Sequence, residues 1–383
     1  MKLIAFHVRE YKSTRDSNPI PVGDVTCLVG KNESGKTSLL QALYKLNPII
    51  PEHGKYDIVD EYPRADVEDY RQAIEARQRG PATVVTATFK LDDTEVASIE
   101  EKYGVAVVPD GELEYSKKYD NSTVLALTVD ERVAGTKLLS DAGMEKEIPS
   151  TSWHTLKELA ATWETIARQK AQAFNEATMK LGIIADPDEK KAVETAARQL
   201  EESNHSKQGR ATLAEIIAPG RGLSIHIWDT LLKAKFPKFL YFDEYYQMEG
   251  HLNIEALQQR QATGTLLPSD HPMLGLIELA RLKLTQLTAP GRTEELLSKL
   301  EAASNHLSKQ VLKYWSQNKH LTVRFDVRPA RPQDPPGMNS GTNLHGRVYD
   351  SVHLVTTPLG TRSNGFVWFF SFIAWFSRAA KAG

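Results

Sequence analysis

The sequence predicts an α/β protein with a mixed sheet and a long helical insertion. Three observations carry this prediction: short β-branched segments near both ends of the chain, a glycine-containing turn at residues 30–37 between a predicted strand and a predicted helix, and a helix-forming region from about 153 to 216. The 383 residues suffice for two or three structural units, since domains commonly hold about 100–200 residues.

The first part of the chain carries alternating strand and helix signals. Residues 3–8 and 24–29 are short apolar segments with β-branched side chains, a pattern that predicts two strands. Residues 38–43 place apolar side chains at helical spacing, so we expect a helix directly after the turn. Residues 82–89 and 123–129 predict two further strands, and we expect both in one antiparallel layer.

The middle of the chain predicts helices. Ala, Glu, Lys, Gln and Arg, which are mostly good helix formers, dominate from about 153 to 216. Asp186-Pro187 and Ser203-Asn204-His205 are expected to break this stretch into pieces. Residues 239–242 predict a strand, and a second helical stretch is expected from about 254 to 319.

The last part of the chain returns to strand signals and ends in an apolar helix. Residues 321–327 and 351–355 predict strands on either side of a loop at 328–346, which is rich in proline and glycine. Residues 365–376 form the strongest apolar run. It is shorter than the roughly 20 residues that span a bilayer, so we expect a buried helix and no membrane association.

Together these elements predict a core that is interrupted by an insertion. We expect a core lobe at residues 1–150, a mainly helical insertion at 151–320 that the strand at 239–242 interrupts, and a return to the core at 321–383. The insertion would serve as an arm or a dimerisation region.

The composition excludes several classes of protein. The 47 Lys and Arg residues against 49 Asp and Glu residues give a net charge of −2, which excludes a histone-like coat for nucleic acid. The single cysteine, Cys27, excludes an internal disulfide and a cysteine-rich zinc site. We therefore expect a reducing, cytoplasmic compartment.

The most specific motif lies at residues 30–37, where Gly-Lys-Asn-Glu-Ser-Gly-Lys-Thr fits the pattern G-x-x-x-x-G-K-[ST]. Gly30 and Gly35 let the backbone curl so that successive N–H groups point inward, and the positive end of the following helix favours an anion there. Lys36 would act as the catalytic lysine that reaches the β- and γ-phosphates, and Thr37 would ligate Mg²⁺.

The motif therefore predicts a nucleotide site with ATP and Mg²⁺ as its cofactors. Its expected binding residues run through the loop into the helix: Gly30, Lys31, Asn32, Glu33, Ser34, Gly35, Lys36, Thr37 and Ser38. ATP is favoured over GTP, because the guanine-reading pattern Asn-Lys-x-Asp does not occur and Asn318-Lys319 continues as His320-Leu321.

Residues 1–13 and 25–43 together resemble the start of the SMC/RecF/OLD group of ABC-type ATPases, and most closely its OLD-like branch. That group typically opens with a strand, an aromatic-basic-serine turn, a second strand and a G-x-N-x-x-G-K-[ST] loop. Here the turn is Tyr11-Lys12-Ser13. The resemblance implies a P-loop NTPase fold of the ABC-ATPase head type, with a mixed sheet plus a helical insertion.

A second resemblance lies at residues 359–370, which look like the degenerate signature of this group, a Ser-x-Gly at the start of a helix. Ser363 can cap the helix, and Gly365 allows close approach to a phosphate. In ABC dimers this element meets the γ-phosphate that the other protomer binds, so the resemblance implies that Ser363 and Gly365 contact the partner's ATP. A capped amphipathic helix without a ligand is the alternative interpretation.

Residues 239–244, Phe-Leu-Tyr-Phe-Asp-Glu, fit a Walker B strand, in which Asp243 would hold Mg²⁺ and Glu244 would act catalytically on water. Their position argues against this role, because ABC-type chains place Walker B after the signature and these residues precede it. Gln247 could act as a Q-loop residue that senses Mg²⁺. Plain strand-end carboxylates explain Asp243 and Glu244 equally well.

If residues 239–244 are not the Walker B of this group, that strand is expected after residue 383, and the chain would be a fragment or one part of a split ATPase. The resemblance implies ATP-driven dimerisation of heads, in a homodimer or higher oligomer. It further implies DNA and a nuclease or effector as partners, in DNA repair and maintenance or in antiphage defence.

Two other functions stay open from the sequence. One is a nucleotide-dependent assembly or sensor module with little hydrolysis, and the other is a stand-alone P-loop ATPase that uses Asp243 and Glu244. Charge adds little support for DNA binding. Residues 292–331 hold eight Lys or Arg residues against four Asp or Glu residues, a surplus of four that a solvated helix face explains equally well.

Overall fold

The computed structural model describes residues 1–181, 183–201, 203–288 and 293–382. They form two compact units, one that ends at Phe239 and one that begins at Leu240. Each unit contains its own sheet and its own hydrophobic core. The predicted α/β class is confirmed, whereas the functional division of the chain at residues 150 and 320 stays a prediction.

A six-stranded sheet forms the centre of the first unit. Its strands are β1 (Lys2–Tyr11), β2 (Thr14–Asp16), β3 (Ile20–Pro21), β4 (Thr83–Lys90), β5 (Glu112–Lys118) and β6 (Thr123–Leu127). They pair antiparallel in the order β2-β1-β4-β5-β6, and β3 also pairs with β1. The register sets Phe6 opposite Ala87 and Val8 opposite Val85. All four side chains are buried, so cross-strand apolar contacts stabilise this register.

The strands predicted at 82–89 and 123–129 lie in one antiparallel layer, as expected, but they are not neighbours. β5 lies between them, and the sequence analysis missed it. This strand reads Glu-Leu-Glu-Tyr-Ser-Lys-Lys, and Leu113 is its one fully buried side chain. Its apolar pattern is therefore too weak to indicate a strand without knowledge of its neighbours.

The strand predicted at residues 24–29 is wrong. This segment forms no regular strand, and no described strand pairs with it. Val25 is 91% exposed and Val29 is 90% exposed. Its β-branched composition favours an extended chain, but a strand also needs a neighbouring strand to pair its N–H and C=O groups.

The described residues of the first unit also form nine α-helices: α1 (Lys36–Tyr44), α2 (Ile58–Glu61), α3 (Val67–Glu75), α4 (Asp93–Tyr103), α5 (Glu131–Ala142), α6 (Leu156–Leu181), α7 (Pro187–Leu200), α8 (Asn204–Ile217) and α9 (Leu223–Ile227). The predicted breaks in the helical stretch are confirmed. The Asp186 side chain caps α7, which has a proline in its first turn, and the Ser203 hydroxyl accepts a hydrogen bond from the Ser206 N–H at the start of α8.

His226 of α9 is buried in the core of the first unit, with 3% of its surface exposed. Its Nδ1 atom has no hydrogen-bond partner among the described residues, and its ring lies edge-on to Tyr103 at 6.0 Å. Burial, reinforced by the charge of Lys102, lowers the pKa of His226 below its ordinary value of 6.5. The folded protein therefore holds this imidazole neutral near pH 7.

We expect acid to destabilise the first unit through His226. The unfolded chain takes up a proton at His226 below about pH 6.5, whereas the folded chain resists it. The stabilising contribution is therefore complete above pH 6.5 and is lost as the pH falls. Thermal unfolding from pH 8 to pH 5 should show a smaller fall in melting temperature for His226→Phe than for the wild type. Equal slopes in the two proteins would contradict this assignment.

The comparison of these two proteins isolates His226 from other histidines. Burial also lowers the pKa values of His53 and His345. Both residues are present in the wild type and in the variant, so the part of the pH dependence that they cause is common to the two curves.

A four-stranded antiparallel sheet forms the centre of the second unit. Its strands are β7 (His251–Asn253), β8 (Leu321–Pro329), β9 (Thr342–Asp350) and β10 (Val355–Pro358). β9 is the central strand, since it pairs with each of the other three. The described helices of this unit are α10 (Ile254–Thr263), α11 (Asp270–Leu279), α12 (Leu284–Leu287), α13 (Thr293–Val311) and α14 (Asn364–Ala382).

Two strand predictions and one loop prediction in the second unit have different outcomes. The strand at 321–327 is confirmed as β8. The loop expected at 328–346 is wrong at both ends, because β8 continues to Pro329 and β9 begins at Thr342. Gly346 contributed to the loop prediction, but in the structure it lies within β9, the central strand of the sheet. The strand at 351–355 is displaced, since residues 351–354 form a turn and β10 begins at Val355.

The predicted terminal helix is confirmed as α14, which buries Phe366, Phe370 and Trp375. Among the described residues, no helix combines the length and apolar character required to cross a membrane. The strand predicted at 239–242 is wrong: Phe239 makes a single parallel bridge to Pro48 within the first unit, and residues 240–242 are irregular.

Candidate functional site

The motif at residues 30–37 continues directly into α1. This helix begins at Lys36, so the last two residues of the motif belong to its first turn. Gly35 has a φ of 86° and Glu33 a φ of 65°, both in the left-handed region. A glycine reaches this region without strain, which explains why the pattern demands one at position 35. Alternation of left-handed and right-handed residues turns successive N–H groups towards one side and forms an anion-binding nest.

Gly30 completes the curvature of the loop. A Cβ atom at this position would lie 2.9 Å from the Ser34 hydroxyl oxygen, so a larger side chain would require the Ser34 side chain to move. A Cβ atom on Gly35 would lie 3.2 Å from the hydroxyl oxygens of Ser13 and Thr14. The turn between β1 and β2 therefore packs directly against the loop. Of the two glycines, Gly35 is the one that the backbone conformation requires.

The Lys36 ammonium group lies within the curve of the loop. Its Nζ atom donates to the backbone oxygens of Gly30 at 2.9 Å and Lys31 at 2.6 Å, and it lies 3.3 Å from the Ser34 hydroxyl. These partners are neutral oxygens. A phosphate anion would bind the same ammonium group more strongly, because charge-assisted hydrogen bonds exceed neutral ones in strength.

The first turn of α1 adds further donors. The leading N–H groups of a helix have no acceptor within the helix, and the positive end of the helix dipole lies there. The first turn contains no acidic side chain that would repel an anion. The Thr37 side chain is exposed in this turn, where its hydroxyl could reach a magnesium ion carried by bound phosphates. The residues of the loop and of the first turn of α1 fit a nucleoside triphosphate with its metal ion.

A buried polar network holds α1 in place. The Tyr56 hydroxyl donates to the Ala42 carbonyl at 2.7 Å, and Lys45 forms an ion pair with Glu61. Glu61 also accepts a hydrogen bond from the Tyr11 hydroxyl at 2.8 Å. Burial raises the pKa of Tyr56, so its phenol stays neutral and remains a donor. The network ties the end of α1 to β1 and α2.

The sequence analysis missed one contact of the loop region. Lys12, in the turn that the resemblance singled out, donates from Nζ to Oε1 of Gln41 on α1 at 2.6 Å. The aromatic-basic-serine pattern marked this turn, and the pairing of β1 with β2 brings it to α1. The sequence pattern therefore indicated the turn, but it did not indicate that Lys12 contacts Gln41 on α1.

Ser363 and Gly365 lie at the start of α14, in the second unit. The Ser363 carbonyl accepts the Val367 N–H at 3.0 Å, which begins the helix there. Both residues are exposed, and no atom lies within 4 Å of the point where a Gly365 Cβ would be. This helix start is open to a ligand or a partner, and the predicted signature role stays a prediction.

Asp243, Glu244 and Gln247 do not follow a strand. One carboxylate oxygen of Asp243 accepts the Tyr245 N–H at 3.0 Å, so Asp243 caps a short 3₁₀ turn that contains Glu244. The Gln247 N–H donates to the Glu244 carbonyl at 3.3 Å. The Walker B strand is therefore wrong as secondary structure. The predicted roles of these three side chains in metal binding and catalysis stay predictions.

Several charged side chains of the basic stretch at residues 292–331 form ion pairs. Arg292 lies outside the described residues. Lys299 pairs with Glu295, and Arg328 pairs with Asp334 at 3.4 Å. Glu295 already counts among the four acidic residues of this stretch, and Asp326 of the stretch pairs with Arg347 outside it. These ion pairs therefore leave the surplus of positive charge about as the composition gives it.

Comparison with known proteins identifies a family for the first unit. The profile of the AAA ATPase domain family matches residues 1–213, which is more than half of the chain. Similar solved structures include the Smc head domain with a coiled coil and joint derived from Pyrococcus yayanosii, at 11% identity and a TM-score of 0.28. That match covers 100% of this chain and 84% of the other. A search of curated proteins finds no significant match.

Proposed function

Since the chain belongs to the AAA ATPase domain family, we propose that it binds ATP with Mg²⁺ and that bound ATP brings two ATPase heads together. The observation that carries this proposal is the loop at residues 30–37. It combines Gly35 in the left-handed backbone conformation, the Lys36 ammonium group within the curve of the loop, and a helix that begins directly after Gly35. That combination of donors suits a triphosphate better than any neutral ligand.

Each loop group has a distinct task in the proposed site. The N–H groups of the loop and of the first turn of α1 hold the phosphate oxygens, and Lys36 exchanges its carbonyl partners for the β- and γ-phosphates. The Thr37 hydroxyl ligates the magnesium ion. When bound, that ion neutralises charge on the phosphates. The turn at Ser13 and Thr14 supports Gly35 from behind and keeps the loop curved.

The start of α14 is the second half of the proposed assembly. Ser363 and Gly365 would meet the γ-phosphate that another copy of the chain binds, so that ATP lies between two heads. Two features support this role: the exposure of both residues, and the open space at Gly365. A helix start without side-chain cover can approach a phosphate closely.

A second candidate function is a nucleotide-dependent assembly module with little hydrolysis. The observation that favours it is the irregular segment at residues 239–244. Asp243 there caps a short turn, while Glu244 is exposed on that turn. A general base has to be held within hydrogen-bond reach of the attacking water, and an exposed turn holds a carboxylate loosely.

The setting follows from the resemblance at residues 1–13 and 25–43. We infer a cytoplasmic protein that works in DNA maintenance or repair or in antiphage defence, with DNA and a nuclease or effector among its partners. Two copies or more would associate through the ATPase heads. Opening and closing of the heads would pass the nucleotide state to such a partner.

The proposal is tested by the substitution Ser363→Arg. We expect the wild-type chain to shift towards a dimer when ATP and Mg²⁺ are added, as measured by sedimentation velocity. The Ser363→Arg variant should stay monomeric while it keeps the ATP affinity of the wild type, because an added guanidinium group would fill the open helix start.

A matched control is Gln259→Arg, which adds the same charge at an exposed position of α10. This variant should dimerise like the wild type. A wild-type chain that binds ATP but shows no shift in sedimentation would refute ATP-driven association. A Ser363→Arg variant that still dimerises would remove the start of α14 from the interface.

A further inference from the structure

A groove of about 570 Å³ runs between α6 and α8 in the first unit, away from the phosphate loop in sequence. Its apolar lining consists mainly of small side chains: Ala160, Ala161, Ala211, Leu213, Ala214 and Ile217. Small side chains on two neighbouring helices allow the backbone of a third helix to approach closely. The alanine-rich lining is therefore chemically suited to the apolar face of a helix.

The two walls of the groove are held together by polar contacts. The Trp163 indole N–H on α6 donates to the Ser206 hydroxyl on α8 at 3.2 Å, and Glu164 forms an ion pair with Arg210. Trp163 is fully buried beneath the groove. These contacts fix the spacing of α6 and α8, so the groove exists before any partner arrives and binding would need little rearrangement.

The rim of the groove is positively charged. Lys157 on α6 and Lys207 on α8 are exposed and line the groove, and neither forms an ion pair with a residue in the described part of the chain. Glu164 pairs with both Arg210 and Arg168. The rim thus carries two uncompensated positive charges above an apolar floor.

We propose that this groove binds an acidic amphipathic helix of a partner protein. The apolar ridge of such a helix would cover the alanine-rich floor, and its carboxylates would meet Lys157 and Lys207. A nucleic-acid backbone could pair with the two lysines, but it would leave the apolar floor in contact with water. The combination of floor and rim therefore favours a helix, and this function is independent of the proposed nucleotide site.

The test uses the full chain and a fluorescein-labelled model peptide. The peptide is an amphipathic helix. Its leucines are spaced alternately three and four residues apart, so that they share one face, and glutamates occupy the other positions. A second peptide has the same leucines and lysines in place of the glutamates. Fluorescence anisotropy should show binding of the acidic peptide below about 100 µM, at least tenfold tighter than the basic one.

Two variants separate the contributions of rim and floor. Lys157→Glu/Lys207→Glu reverses the rim, and it should weaken the acidic peptide about tenfold or more while improving the basic one. Ala214→Trp fills the groove from an exposed position without changing charge, and it should weaken both peptides. The control Lys190→Glu/Lys191→Glu reverses two exposed lysines on α7, outside the groove, and should bind like the wild type.

Several outcomes would overturn the proposal. The first is that the acidic peptide shows no binding at concentrations up to about 100 µM. The second is that the two peptides bind equally well. The third is that the rim reversal leaves the affinity for the acidic peptide unchanged. A labelled DNA duplex serves as the competing ligand. If the rim reversal weakens DNA binding and leaves peptide binding unchanged, the groove belongs to a nucleic-acid surface instead. Because exposed lysines tolerate glutamate, the rim variant remains informative even if Ala214→Trp fails to fold.

Discussion

Replacement of Lys36 by alanine is expected to abolish measurable ATP binding. The Lys36 ammonium group supplies the positive charge within the curve of the loop, where it now contacts the backbone oxygens of Gly30 and Lys31. Hydrogen bonds to charged groups contribute about 1.5–3 kcal/mol each. Loss of two such bonds to the phosphates would weaken ATP binding by about 100-fold or more.

Titration with a fluorescent ATP analogue or calorimetry measures this effect. Lys55→Ala is a suitable control, since Lys55 is an exposed lysine of the first unit that lies outside the loop, and it should keep the wild-type affinity. Both variants should unfold at the temperature of the wild type. The atoms that the Lys36 side chain contacts all lie within its own loop, so its removal breaks no contact with the rest of the fold. Unchanged ATP affinity in Lys36→Ala would show that nucleotide does not bind at this loop.

Replacement of Gly275 by alanine is expected to destabilise the second unit by about 2–3 kcal/mol. Gly275 lies in α11 at its closest approach to α14. A Cβ atom there would overlap the carbonyl oxygen of Ala374 and would lie 2.6 Å from its carbonyl carbon. Backbone atoms of a helix cannot move aside as a side-chain tip can, so the two helices would have to separate.

The matched control for Gly275→Ala is Gly365→Ala in the first turn of α14. Apart from its chain neighbours and the backbone of its own helix turn, no atom lies within 4 Å of the added Cβ, so the free energy of unfolding should equal that of the wild type or exceed it slightly. Urea unfolding followed by tryptophan fluorescence measures both changes, because α14 contains Trp368 and Trp375. Equal stability of the two variants would mean that the helices repack at negligible cost.

The elements that follow from local rules could be predicted. The loop at residues 30–37, the helix that starts at Lys36, and the helix breaks at Asp186 and Ser203 all depend on residues close together in the chain. Glycine conformation, capping side chains and proline geometry act over a few residues, so a sequence pattern expresses them directly.

The elements that depend on distant partners could not be predicted. β5 is a strand because β4 and β6 lie on either side of it, although its own side chains are mostly charged or half-buried. Residues 24–29 and 239–242 have the composition of buried strands, yet neither segment forms one. A sequence pattern gives the tendency towards an extended chain, but it does not say which neighbour will supply the paired backbone groups.

The same division holds for the candidate site. Lys36, Gly35 and Thr37 were expected from the pattern G-x-x-x-x-G-K-[ST], because the donors of the loop come from consecutive residues. The packing of Ser13 and Thr14 against Gly35, and the contact of Lys12 with Gln41, required the strand pairing that returns the chain to α1. The sequence by itself therefore determines the candidate phosphate-binding loop, because its donors come from consecutive residues. The side chains that support this loop are brought together by long-range folding, and no local pattern specifies their partners.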